Sequence, residues 1–238
     1  MTPDRAAAEE VAPSFDDAWA RFQACDSLVL AGDTLEWEWT RGRAQYLTFL
    51  VRVEDAGARA HLARVIDRLA GIPGVQPYPE RYWHITVKGV GFQVIKRAHD
   101  DDVLRQDVPR IARKAQELLS GEEAFEAQLG LASGFAEVAF VEVQDGGRAR
   151  ELNTRLLEGL PHVARYPPDG AGFLPHVSIA RFTSNDGLDE LKAALDSLRA
   201  EGPGPNFPVR RVEFIKAWLT EDTPEFDALA TYPLRSPR

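Results

Sequence analysis

Two short stretches carry residue types suited to proton chemistry: Trp83-His84-Ile85-Thr86-Val87-Lys88 and Pro175-His176-Val177-Ser178-Ile179-Ala180-Arg181. In each, a histidine is followed by one apolar residue and then a small hydroxyl residue, all within an alternating apolar run. A strand repeats every two residues. His84 therefore shares a face with Thr86, and His176 with Ser178, while Ile85, Val87, Val177 and Ile179 turn the other way toward a core. The chain has 5 His. With hydroxyl residues at about a tenth of ordinary sequence, about half of one such match is expected by accident. Two matches, both inside strand-like runs, mark a site.

The chemistry that suits such a site is displacement at phosphorus. The entering and leaving oxygens lie on opposite sides of the phosphorus, so one group must take a proton while another gives one. Imidazole does either near neutrality, its ordinary pKa being about 6.5. Histidines on two facing strands would flank one phosphate, and Thr86 and Ser178 would donate to its non-bridging oxygens, where charge builds up. His84, His176, Thr86 and Ser178 are the expected catalytic set; spacing does not say which histidine is the acid. No metal or cofactor is expected. His99 with Asp100, Asp101 and Asp102 reads as a helix start rather than a ligand set. Lys88, two residues past Thr86, falls on the catalytic face of an ideal strand and is expected to attract phosphate, the alternative being a solvated strand end. Tyr82 and Phe182 flank the motifs, either as stacking surfaces for a base or as core.

At these residues the chain resembles the 2H phosphoesterases, whose mark is one His-x-Thr/Ser motif in each half of a duplicated fold. Within them it is most similar to the bacterial and archaeal 2′-5′ RNA ligase branch. The likeness runs from about Ala44 to the C-terminus. It takes in the lead-in Pro77-Tyr78-Pro79-Glu80-Arg81-Tyr82-Trp83 and a closing segment from Arg211-Val212-Glu213-Phe214-Ile215 through Tyr232-Pro233-Leu234. The second motif departs from the common pattern in having Ser, and the residues before about 44 exceed the usual start. The resemblance implies an α+β fold of two pseudo-symmetric lobes, each an antiparallel sheet with helices on its outer face, flanking a central cleft. It implies an RNA 2′,3′-cyclic phosphodiesterase that leaves 2′-phosphates, with reversible 2′-5′ ligation as an accompanying activity. It also implies that Arg181 serves the phosphate, although ideal alternation puts Arg181 on the wrong face; a bulge or strand end would reconcile the two. Another cyclic or 2′,5′-linked small nucleotide, or a non-catalytic nucleotide-binding module, are the competing readings.

Composition sets the frame. The chain has 238 residues, 44% of them hydrophobic, enough for one domain with a real core. The net charge of −9 argues against an extended nucleic-acid footprint, but not against a grip on one phosphate at an RNA end or in a small cyclic nucleotide. No apolar run is long enough to span a bilayer, and residues 1–13 have no signal core, so no membrane association is expected. The lone Cys25 fits a reducing cytoplasm, and a monomer is expected.

The elements that must position the motifs follow from periodicity. Residues 1–43 read as an N-terminal extension and residues 44–238 as a single bilobal domain. In the extension, Ser14 and Asp17 predict a capped helix from Phe15 to about Ala24, and Thr34–Thr40 alternates like a strand with Leu35, Trp37 and Trp39 on one side. These tryptophans either stack on a base or cover the sheet. Strands are expected at 45–53, 83–90, 125–131, 137–143, 174–182, 209–219 and 226–232. Helices are expected at 56–70, from near Asp107 with Pro109 in the first turn, at 149–158 and at 188–199. The loop from Leu160 to Gly172, with His162, is expected to overhang the site.

Overall fold

The structure is a computed structural model that describes residues 14–32, 38–160, 163–219 and 223–236. Its helices are α1 (Phe15–Ala24), α2 (Ala56–Leu69), α3 (Val108–Leu119), α4 (Arg148–Gly159) and α5 (Leu188–Ala200). Its strands are β1 (Gln45–Arg52), β2 (Val75–Pro77), β3 (His84–Val94), β4 (Asp102–Leu104), β5 (Phe125–Phe135), β6 (Val138–Gln144), β7 (His176–Phe182), β8 (Asn206–Val209), β9 (Arg211–Trp218) and β10 (Glu225–Pro233). Among the described residues, no helix is long and apolar enough to cross a membrane.

All strands belong to one sheet, ordered β10-β9-β1-β3-β7-β6-β5-β8, with β4 added to β3 and β2 to β7. The order splits into two four-strand halves that meet at a single antiparallel bridge, Ile85 to Val177. Each half is a lobe, and each lobe ends inward on one motif strand. α3 and α4 back the first lobe, packing on β10 and β3, while α2 and α5 back the second, packing on β7, β8 and β5. The lobes thus exchange helices. α2 leaves β1 of the first lobe to cover the second, and α4 leaves β6 of the second to cover the first.

The strand expected over 209–219 is β9, and a further strand that was not expected, β8, runs directly into it. β8 pairs with β5 and β9 with β1, with only Arg210 between them. One residue spans a few ångströms, so the two far ends of the sheet order are drawn together and the sheet curls into a half-barrel. Val209 and Val212, on either side of the crossing, are fully buried in the main core. Alternation cannot reveal such a switch, because both segments keep one apolar face.

Three local expectations change. Residues 38–40 are helical rather than extended, and Leu35 and Trp37 lie outside the described residues, as does His162. His99–Asp102 does not start a helix. The Asp102 carboxylate accepts the Ala98 and His99 amides at 2.7 and 2.8 Å and pairs with Arg43 at 2.6 Å, closing a turn ahead of β4. Among the described residues, no three His, Cys, Asp or Glu side chains gather as a metal site.

The third change concerns Lys88. The pairing of β1 with β3 runs Leu50 to Thr86 and then Phe49 to Lys88, skipping Val87. This bulge throws Lys88 onto the core side beside Phe49, away from the histidine face. There its side chain is wholly buried and pairs with Asp169 at 2.9 Å. It also donates to the carbonyls of Ala164, at 2.7 Å, and Gly89. Burial pushes the ammonium's pKa down and Asp169 holds it up. Lys88 is therefore a strut between β3 and the loop after α4, and not a phosphate ligand. Asn153 completes the strut, donating to the Val87 carbonyl at 2.8 Å and to Asp169 at 2.9 Å. Removing one partner of a buried pair strands the other charge. Lys88→Met should lower the unfolding free energy by about 3–5 kcal/mol in urea denaturation, and Asp169→Asn in the same chain should recover part of that loss.

Candidate active site

The two motif strands are built alike. In β3, His84, Thr86 and Gly89 are half-buried while Ile85, Val87, Lys88 and Val90 are buried. In β7, His176, Ser178 and Arg181 are half-buried while Val177, Ile179, Ala180 and Phe182 are buried. The doubled buried step marks a bulge in each. In β7 the pairing with β6 jumps from Phe140–Ser178 to Ala139–Ala180. That slip carries Arg181 back to the face of His176 and Ser178. The residue after a bulge thus decides what the site receives. In β7 it is Arg181, and at the matching place in β3 it is Gly89. A side chain at Gly89 would strike the Tyr46 hydroxyl and the Tyr166 ring, so the place that Arg181 takes on the second lobe holds no side chain on the first.

Carrying the Ile85–Val177 register one residue each way sets His84 opposite Ser178 and Thr86 opposite His176. The four side chains form a rectangle with the histidines on its diagonal. Diagonal neighbours of an antiparallel pair are about 7–8 Å apart, room for one phosphate between two imidazoles. Both rings are oriented the same way. The His84 Nδ1–H donates to the Tyr82 carbonyl, and the His176 Nδ1–H donates to the Leu174 carbonyl at 2.8 Å. Each bond leaves Nε2 as the working nitrogen. Thr86 already donates its hydroxyl to His84 Nε2 at 3.2 Å.

Aromatic edges brace the rings. His84 meets Tyr82 and Phe226 edge-on at 5.0 and 5.2 Å, and His176 meets Phe135 and Phe140 at 5.3 and 5.0 Å. This apolar packing strips water from the imidazoles and disfavours their charged forms. Burial, together with the His176 and Arg52 charges, pushes His84 down to about 4 against the pull of the Tyr82 carbonyl. Burial also lowers His176, opposed by the Leu174 carbonyl. Arg52 sits directly opposite His84 across the β1–β3 pair and is tied to Glu213 at 2.8 Å.

A cavity of about 900 Å³ opens over this face, lined by His84, Thr86, Arg181, Tyr78, Tyr82, Phe226, Tyr46, Thr48, Trp39 and Pro167 among others. Its floor on the first lobe is a small apolar cluster separate from the main core, Leu50, Ile215 and Ala217, with Tyr46, Leu219 and Phe226 against it. Arg181 donates to Gln76 Oε1 at 2.8 Å through Nε. Tyr82 stacks on Tyr78 at 4.2 Å, and burial raises its hydroxyl's pKa well above the ordinary value.

The structure therefore places His84, Thr86, Arg181 and Tyr82 in the cavity wall, while His176 and Ser178, set beside His84 and Thr86 by the Ile85–Val177 bridge, are not part of that lining. It does not bring Lys88 to the site, for the reason given above, nor Phe182, which is fully buried in the main core one residue past Arg181. Trp39 packs on the neighbouring strands β1 and β3, meeting Tyr46 and Phe92 at 5.0 Å each, and also borders the cavity. Sequence reading missed Arg52, Tyr46, Thr48 and Phe226. The first three share an alternating face of β1, which places them only once the partner of β1 is known. Phe226 arrives on β10 from far along the chain and had no local signal.

Comparison with curated protein sequences gives no significant match. Among solved structures, TT0787 of Thermus thermophilus superposes with a TM-score of 0.58 at 19% identity, covering 81% of this chain and 100% of that one. Escherichia coli LigT complexed with NADP+ gives 0.59 at 15% identity, with 82% and 99% covered. The same protein complexed with 3′-AMP gives 0.57 at 15%, with 81% and 99% covered. At these identities the likeness is one of fold. The sequence model of the 2′-5′ RNA ligase superfamily matches residues 58–217, both histidine motifs included. With the paired motifs, the bilobal sheet and that match in agreement, the chain belongs to the 2′-5′ RNA ligase superfamily.

Proposed function

We propose that the protein is a metal-independent phosphodiesterase that opens 2′,3′-cyclic phosphates, of nucleotides or RNA ends, to 2′-phosphates. The observation that carries this reading is the pair of histidines set on the diagonal by the Ile85–Val177 register, each with Nδ1 tied to a carbonyl so that Nε2 is left for chemistry, with Arg181 lining the cavity beside His84 and Thr86. One imidazole takes a proton from water as its oxygen bonds to phosphorus. The other gives a proton to the 3′ oxygen as the P–O3′ bond breaks. Thr86, Ser178 and Arg181 hold the non-bridging oxygens as charge builds on them. With a ribose 5′ hydroxyl in place of water as the nucleophile, the same traffic would form a 2′-5′ bond as P–O3′ breaks, and run backwards it would cleave that bond to restore the cyclic phosphate. LigT has been crystallised with 3′-AMP and with NADP+; a nucleotide-sized ligand on this fold supports the substrate class. The assignment is tested on a panel of 2′,3′-cyclic nucleotides and cyclic-phosphate RNA ends, products being resolved as 2′- or 3′-phosphates. No turnover of any member would overturn it.

Each imidazole carries half the proton traffic. His84→Ala and His176→Ala should each lower kcat by about 10²–10⁴-fold, and the double variant should lose less than the product of the two. Thr86→Ala and Ser178→Ala should cost less, about 10–10³-fold, as lost donors to the developing charge. Steady-state kinetics on 2′,3′-cyclic AMP measures all four.

The pH profile carries a sign. Turnover requires one proton on the histidine pair. Both imidazoles are depressed below 6.5, His84 to about 4. The bell of kcat/KM, which reports the free enzyme, should therefore have both limbs below pH 6.5 as coupled macroscopic values. A bound anionic phosphate favours the charged imidazoles, so the kcat bell should lie at higher pH than that of kcat/KM. Coincident bells centred above pH 7 would contradict the depressed pair.

A further inference from the structure

The N-terminal segment is built into the wall of the reaction cavity on both lobes. α1 is held by the reciprocal Ser14–Asp17 cap and by Phe22, which lies against Gly134 where no Cβ could fit. Beyond it the chain is pinned along the second lobe. The Leu28 amide donates to Asn185 at 2.6 Å, that of Val29 to the Ala136 carbonyl at 2.8 Å, and that of Ala31 to the Phe182 carbonyl at 2.7 Å. These bonds set Val29, Leu30 and Ala31 beside Arg181, lining the same cavity as His84 and Thr86. On the first lobe Trp39 lines that cavity too. It is seated on Tyr46 and Phe92, and Arg43 just beyond is locked to Asp101 and Asp102 at 2.6 Å. α1, Leu28–Ala31, Trp39 and Arg43 all precede residue 58, where the superfamily match begins.

Charge points the same way. Among the described residues, those lining the cavity include one cation, Arg181, and one carboxylate, Glu137. Arg52, opposite His84, is committed to Glu213. One cation suits one phosphate. Every further nucleotide would bring another phosphate to a protein of net charge −9 that shows, among the described residues lining the cavity, no second cation. The volume of about 900 Å³ falls in the range that encloses a single small ligand, and the aromatic lining offers stacking for one base.

We propose that Val29–Ala31 and Trp39 make the site selective for a single 2′,3′-cyclic nucleotide over a cyclic-phosphate-ended RNA chain, an inference that rests on the cyclic phosphodiesterase reading above. The test uses the full-length protein. kcat/KM is measured on 2′,3′-cyclic AMP and on di- and hexaadenylates ending in 2′,3′-cyclic phosphate. For the wild type it should fall by about tenfold or more from mononucleotide to hexamer. In Leu30→Gly and in Trp39→Ala, the ratio of mononucleotide to hexamer should drop by about threefold or more, through a gain on the hexamer. Thermal melting checks that both variants are folded. A wild type that acts on the hexamer as well as on the mononucleotide, or folded variants with an unchanged ratio, would overturn the proposal. If neither variant folds, the wild-type length series decides alone. If no cyclic phosphate is turned over, the phosphodiesterase reading fails by itself. Size selection is then decided by calorimetric binding of 2′-AMP against a hexaadenylate bearing a terminal 2′-phosphate, where equal or tighter binding of the hexamer would sink it.

Discussion

The antiparallel bridge between Ile85 and Val177 is where the two halves of the sheet meet, and the site depends on it. An antiparallel register is exact to one residue, because a slip of one sends every side chain to the opposite face. With this bridge in place, four half-buried side chains share one face and both imidazoles lie on the diagonal of a small rectangle. The strands then part, β7 continuing beside β2 and β3 beside the loop after α4 and β4. The contact is short, so its rigidity has to come from elsewhere.

It comes from the two bulges and what they bury. A bulge after Thr86 and another after Ser178 each reverse the alternation once. On β3 the reversal sends Lys88 inward to Asp169 and ties the strand to α4 and its following loop through Asn153. On β7 it sends Arg181 outward into the cavity. One backbone device thus yields a strut on one lobe and a cavity-lining cation on the other. The exchange of α2 and α4 between lobes adds to this coupling, since neither lobe can move its motif strand without disturbing a helix rooted in the other.

Burial also sets the chemistry. Edge-on aromatic neighbours hold each ring in place and remove its water, which lowers the affinity of both imidazoles for a proton. An anion held between the two rings would favour their charged forms through Coulomb attraction, opposing that effect of burial.

How much of this was legible beforehand follows from the range of each interaction. Among the described residues, local patterns located the five helices α1 to α5 and the seven longer strands, and missed the short β2, β4 and β8: the Ser14–Asp17 cap, Pro109 in the first turn of α3, and the period-two runs around both histidines all state their structure within a few residues. His84, Thr86, His176 and Ser178 were legible for the same reason, as alternation alone puts each pair on one face. The places of Lys88 and Phe182 were not, and Arg181 was expected only through the family resemblance and against ideal alternation, because a bulge is defined by the partner strand, and the identity of that partner is absent from the local sequence. Arg52 and Phe226 needed the order β10-β9-β1-β3, and the switch at Arg210 needed the curl that brings the sheet's ends together. The sequence by itself determined the elements and the two motifs, since helix caps and strand periodicity are short-range. Only the tertiary structure decided which side chains accompany the histidines, because register and burial are relations between strands distant along the chain.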